Sequence, residues 1–185
     1  MSLSNLLRTT SDEYHGEALA MAEATAKRYP GVYGENHPYN YGCMSNLALL
    51  RRATRDLDGA LALDQRARKG LLESLGPDHH YPLTVAINLA SDLAALSQPI
   101  QARRIGEDAL PRLTALLGSE HPHTLACANN LALDLIASDD EAAGQALREA
   151  TLRRYADPPY GPAFSDTLVA IEGGRLDPDF DPPPI

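Results

Sequence analysis

One phrase recurs along this chain at a fixed interval. It reads GENHPYNYGCMSNLALLR from Gly34, GPDHHYPLTVAINLASDL from Gly76 and GSEHPHTLACANNLALDL from Gly118. Gly34, Gly76 and Gly118 are 42 residues apart, and so are His37, His79 and His121, and Asn46, Asn88 and Asn130. Leu47, Leu89 and Leu131 keep the interval, as do Ala48, Ala90 and Ala132. A second set lies between the phrases: Ala18, Ala60 and Ala102, then Thr25, Ala67 and Ala109. Self-similarity at a period of this length is the mark of stacked supersecondary units, each burying its apolar face against the next.

Each unit reads as two helices. The first follows the Gly turn, with Pro38 or Pro122 in the first helical turn, where a missing N–H costs nothing. It runs about sixteen residues to a polar break at 54–58, 97–99 or 138–141. The second is Ala-rich and ends near the next Gly; Asp58, Ser97 and Asp140 are its expected N-caps. The N-terminal NLLRTTSDEYHGEALA matches NLALLRRATRDLDGALA with one residue missing, so the first unit is abbreviated. No run alternates polar and apolar residues as a strand would.

Gly-x-x-His-Pro, then Asn-Leu-Ala, then Ala-x6-Ala in the second helix resembles the 42-residue tetratricopeptide (TPR) repeats of kinesin light chains, over roughly residues 4–155. The resemblance implies an all-α, right-handed α-solenoid of about four TPR helix pairs. The repeats are expected at about 4–33, 34–75, 76–117 and 118–157, making an array over 1–157. Residues 158–185 would form a short capping helix, at AFSDTLVAIEGG (163–174), and an extended Pro-rich acidic tail. His80, where the other copies have Pro, and Arg51, where an apolar residue is expected, depart from the pattern.

Helical phase then sorts the first helices. At 100° per residue, Gly42, Leu49, Leu50 and Ala53 fall within about 60° of Asn46. Asn88 shares its stripe with Thr84, Ser91, Asp92 and Ala95, and Asn130 with Ala126, Leu133, Asp134 and Ala137. The opposite faces are small and aliphatic. An Asn side chain carries both a donor and an acceptor, so a row of them can pair with the N–H and C=O groups of an extended peptide of any sequence. The relatives with this Asn-Leu-Ala motif use it in that way. The resemblance therefore implies a peptide-binding groove on the concave face, formed by Asn46, Asn88, Asn130, Leu49, Ser91, Asp92, Leu133 and Asp134. The other reading is that each Asn bonds a neighbouring helix and holds the repeats in register. Asp92 and Asp134 favour a partly basic or amide-rich ligand. Arg51 and Arg52 are expected to be solvated, though either could take a carboxylate.

Other chemistry has little support. The formal net charge of −9 disfavours nucleic acid, and no stretch approaches a membrane span. His37, His79 and His121 sit on successive units and cannot share a metal; helix-start packing or capping suits them better. Cys43 and Cys127 are two periods apart, beyond disulfide reach, so two free buried thiols are expected, and with no signal peptide a cytoplasmic location. There is no phosphate loop, HExxH or nucleophile elbow. Asp177, Asp179 and Asp181 have calcium-loop spacing, but Pro182 stands where Gly is needed. No enzyme, cofactor or metal is expected.

The expected function is a protein- or peptide-binding scaffold. The alternatives are a sensor or regulatory module of a larger bacterial signalling NTPase and a homo-oligomerisation domain. The tail is expected to be disordered; the second reading is that it, or the tail of another copy, lies against the TPR surface, anchored by Phe180 and Ile185.

Overall fold

In the computed structural model, residues 14–156 and 174–180 are described. They hold seven helices: α1 (His15–Tyr33), α2 (Pro38–Ala53), α3 (Leu57–Leu75), α4 (His80–Ala95), α5 (Pro99–Leu117), α6 (Pro122–Ala137) and α7 (Glu141–Ala156). Among the described residues there is no strand. Each helix packs on the next, and α4 also packs on α2 and α6, giving three helix pairs behind the lone α1. The expected capping helix at 163–174 and the anchor Ile185 lie outside the described residues, apart from Gly174.

The interval of 42 residues is visible in how each helix begins and ends. Gly34, Gly76 and Gly118 close α1, α3 and α5 at φ of 97°, 83° and 90°, a region side chains avoid. His37, His79 and His121 cap the following helices: each Nδ1 accepts from the N–H two residues on, at 3.2, 3.1 and 3.2 Å. Two residues past the last residues of the first helices, Arg55, Ser97 and Asp139 are left-handed at φ of 68°, 59° and 63°. Asp56, Gln98 and Asp140 then donate their N–H back to the carbonyls of Arg51, Leu93 and Leu135, the long-range bond of a Schellman close.

Two of the expected N-caps are displaced by these turns. Asp56, not Asp58, caps α3, its carboxylate accepting from Gly59 N–H at 3.1 Å; Asp58 falls in the first turn. Ser97 is used up in ending α4, so Gln98 stands before α5, with Pro99 at its first position. Asp140 does precede α7, and its carbonyl accepts from Gly144 N–H.

Small residues set the spacing between helices. Ala18, Ala60, Ala67 and Ala102 are fully buried and Ala109 nearly so. Ala109 packs with Leu83, Ile87, Leu113 and Cys127, and Ala18 with Ala22, Leu47 and Leu50. Gly106 faces Leu131, 3.1 Å from where a Cβ would sit. Cys43 and Cys127 are free and buried, and burial pushes their thiols up to about 11 and 12.

His80, the departure from the repeat, contacts the next unit: its Nε2 meets His123 Nδ1 at 2.6 Å. Burial first, then His80 and His121, push His123 down to about 4. His123 is thus neutral in the fold while its unfolded counterpart titrates near 6.5. Between those values the unfolded chain binds more protons, so this stability is present above about pH 6.5 and lost as pH falls towards 4. The urea stability of the chain relative to its His123→Asn variant should fall by about 1 kcal/mol between pH 7 and pH 5; a pH-independent difference would contradict this.

A second prediction concerns Gly70, where a Cβ would run into the ring of Tyr41. Tyr41 is buried against Ala67 and Leu71 and cannot swing out freely. Gly70→Ala should destabilise the fold by about 1–3 kcal/mol in urea unfolding, although Ala is the better helix former.

Candidate functional site

The groove floor is made by α2, α4 and α6, and residues 174–180 lie along it as an extended strand-like segment. Asn46 grips Phe180 at both backbone groups: its Nδ2 donates to Phe180 O at 2.7 Å and its Oδ1 accepts from Phe180 N–H at 2.8 Å. Asn130 does the same to Leu176, both bonds 2.8 Å. Between them, Asn88 Nδ2 donates to Pro178 O at 3.0 Å. Backbone groups at 176, 178 and 180 face one side of an extended chain, so two residues of peptide advance per 42-residue repeat. The segment runs from the α6–α7 pair, which carries Asn130, towards the α2–α3 pair, which carries Asn46.

The amides also reach neighbouring helices. Asn88 Nδ2 donates to Ser45 Oγ at 3.1 Å and Asn130 Nδ2 to Ser91 Oγ at 3.3 Å. The two readings of the Asn row are therefore not exclusive: one NH2 group has two hydrogens, and both are used. Burial is nearly complete, with Asn46, Asn88 and Asn130 at 7, 0 and 2 % exposure.

Charges fix what stands between the amides. Arg175 makes a forked pair to Asp134, Nη1 to Oδ1 at 2.7 Å and Nη2 to Oδ2 at 3.0 Å, and its Nε donates to Ser91 Oγ at 3.1 Å. Burial raises the Asp134 pKa, while Arg175 pulls it back. Arg52 reaches both ways, to Asp92 on α4 and to Asp177 of the segment, the latter at 2.6 Å. Burial alone would lower the Arg52 pKa; Asp177 and Asp92 raise it, and the net direction is up. Asp92 is pushed up to about 6 by burial, against the pull of Arg52. Behind it, Asp64 is wholly buried on α3 and driven well above the usual carboxylate range by burial and then by Asp92.

Phe180 is the apolar anchor at the end nearest α2. It is 6 % exposed, packs in a cluster with Tyr41, Ala67, Leu71 and Val85, and meets the Tyr81 ring edge-on at 5.2 Å. A Cβ on Gly42 would stand 3.0 Å from Phe180 Cδ1. Leu176 packs on Leu125 and Tyr155. A cavity of about 630 Å³ opens beside the segment, lined by Arg52, Ser91, Leu133, Asp134, Arg175 and Asp177.

Of the residues expected in the groove, Asn46, Asn88, Asn130, Ser91 and Asp134 contact the segment. Asp92 acts through Arg52, Leu133 lines the adjacent cavity, and Leu49 is buried at 2 % exposure. The expectation that Arg51 and Arg52 are solvated is corrected. Arg52 is wedged between Asp92 and Asp177, and Arg51 pairs with Asp56 at 2.8 Å and Glu23 at 3.3 Å. Sequence reasoning missed Asn129, whose Nδ2 donates to Gly174 O at 2.7 Å. Its only signal was the doubled Asn of the third copy. Among the described residues no three His, Cys, Asp or Glu are grouped to hold a metal, and no helix is long and apolar enough to cross a membrane.

This is the architecture of a tetratricopeptide-repeat solenoid, and residues 40–115 match the Tetratricopeptide repeat family. The fold of the chain is similar to that of a Podospora anserina kinesin light chain with nearly identical TPR-like repeats, at 23% identity and TM-score 0.61, covering 78% of this chain and 68% of that one. It is also similar to BtubC (BKLC) from P. vanneervenii, at 21% identity and TM-score 0.66, covering 90% of this chain and 66% of that one. The chain thus spans about two thirds of each of these structures. No curated protein matches.

Gly42 separates the array from its occupant. Gly42→Ala adds a good helix former to α2 but crowds the Phe180 ring. It should leave the thermal midpoint unchanged or higher, while the Phe180 amide exchanges with solvent about fivefold faster or more. A lowered midpoint with unchanged exchange would contradict the assignment.

Proposed function

We propose that this protein is a peptide-binding scaffold whose Asn46, Asn88 and Asn130 hold an extended segment of a protein along the groove by its backbone. The observation that carries this reading is the double hydrogen bond of Asn46 to Phe180 and of Asn130 to Leu176. A side-chain amide that satisfies both backbone groups of one residue recognises the shape of an extended chain, not its sequence. Selectivity falls to the charges: Asp134 and Ser91 take a guanidinium, Arg52 takes a carboxylate, and the Gly42–Tyr81 pocket takes an aromatic ring. The segment at 174–180 occupies the groove as a self-ligand, so another peptide must displace it.

The test is a labelled peptide with the sequence of residues 174–181, titrated into two full chains that both carry Arg175→Ala and Phe180→Ala to loosen the self-ligand, one with Asn46, Asn88 and Asn130 intact and one, the variant, with all three changed to Ala. Each lost amide removes bonds worth about 1 kcal/mol, so the variant should keep its helical circular dichroism and bind at least tenfold more weakly. Equal binding by a folded variant would remove the amide row as the site.

A further inference from the structure

The three amides do not grip equally. Asn46 and Asn130 each make two bonds to the segment, and Asn88 makes one. The reason is covalent: residue 178 is Pro, which has no backbone N–H to give. Asn88 Oδ1 is accordingly buried with no hydrogen-bond partner. The amide cannot turn over to mend this, because its Nδ2 already donates to Pro178 O and to Ser45 Oγ. The site is at the centre of the groove, where Asn88 is 0 % exposed. The missing bond is thus a defect of the docked state, since an uncovered Asn88 can turn its oxygen to water.

We infer that residues 174–180 are a deliberately imperfect self-ligand, and that the groove's better occupant is an extended peptide of another protein with an N–H opposite Asn88. This rests on the peptide-binding reading above and names the ligand. Three positions before that N–H stands Arg, as Arg175 does against Asp134 and Ser91. Two before it stands an apolar residue, as Leu176 does on Leu125 and Tyr155. One before it stands an acid, as Asp177 does against Arg52. Two after it stands an aromatic residue, as Phe180 does beside Tyr81. The pattern is Arg–apolar–acidic–any residue but Pro–any–aromatic. Pro does favour docking by pre-ordering the chain, but leaving a buried acceptor unpaired costs more than the entropy that Pro saves. Proline therefore keeps the self-ligand weak enough to leave.

The experiment compares the full chain with Pro178→Ala, a change confined to the segment. Hydrogen exchange is followed at the Leu176 and Phe180 amides, which Asn130 and Asn46 hold. Exchange should slow about fivefold or more in Pro178→Ala, and the slowing should vanish when Asn88→Ala is present in both chains. No slowing, or the same slowing without Asn88, would overturn the inference. Free-peptide exchange rates in both chains would instead overturn the peptide-binding reading itself. In parallel, labelled Arg-Leu-Asp-Ala-Asp-Phe should bind the full chain about fivefold more tightly than Arg-Leu-Asp-Pro-Asp-Phe. Equal affinities, or no binding by either, would rule out the proposed partner. An N-methyl-alanine peptide, which lacks the N–H but not the flexibility, should bind no better than the Pro form; if it matches the Ala form, the N–H is not the cause.

Discussion

Close approach between helices is the constraint on which everything else depends. Ala18, Ala60 and Ala102 recur in phase and are wholly buried, and Gly70 and Gly106 carry Tyr41 and Leu131 against bare backbone. A larger side chain at any of these points would push neighbouring helices apart and change the angle at which the next pair is laid down. The groove is a consequence of that angle. Asn46, Asn88 and Asn130 can engage one extended segment only because each repeat advances by the same step as two residues of peptide.

On this scaffold the polar chemistry is arranged as a relay across helices. Arg52 on α2 is held by Asp92 on α4 and presents its remaining face to Asp177. Asp64 stands behind Asp92, buried and with its pKa raised. Two carboxyl groups so close cannot both ionise cheaply; their shared neighbour Arg52 is what allows Asp92 to carry charge. Among the described residues of the array Asp134 has no such neighbour, and its guanidinium comes from Arg175. The empty groove therefore differs from the filled one in electrostatics as well as in shape: without a ligand cation, Asp134 is a buried carboxylate lacking its forked partner.

How much of this could be read beforehand differs residue by residue. The period of 42 located the helices to within a turn, because Gly, His-Pro and Ala positions each answer a local demand: a left-handed close, a capped start, a tight contact. It misplaced the caps at Asp58 and Ser97, since the choice between adjacent polar residues is made by the turn that ends the preceding helix. Helical phase placed Asn46, Asn88 and Asn130 on one face. It could not tell that Arg52 would be enclosed, because its two partners lie 40 and 125 residues further on, at Asp92 and Asp177. Nor could it single out Asn129, which repeats nowhere else.

The sequence by itself determined the repeat, the helical class and the face on which the amides stand, for these follow from local propensity and from periodicity that survives in one dimension. Only the tertiary structure decided what those amides touch. Pairing between Asn46 and Phe180, 134 residues apart, depends on the summed rotations of every intervening helix pair, and no local rule encodes that sum. The same holds for the idle oxygen of Asn88. Pro178 is visible in the sequence as one of many prolines, but that it falls opposite the middle amide is a fact of three-dimensional register.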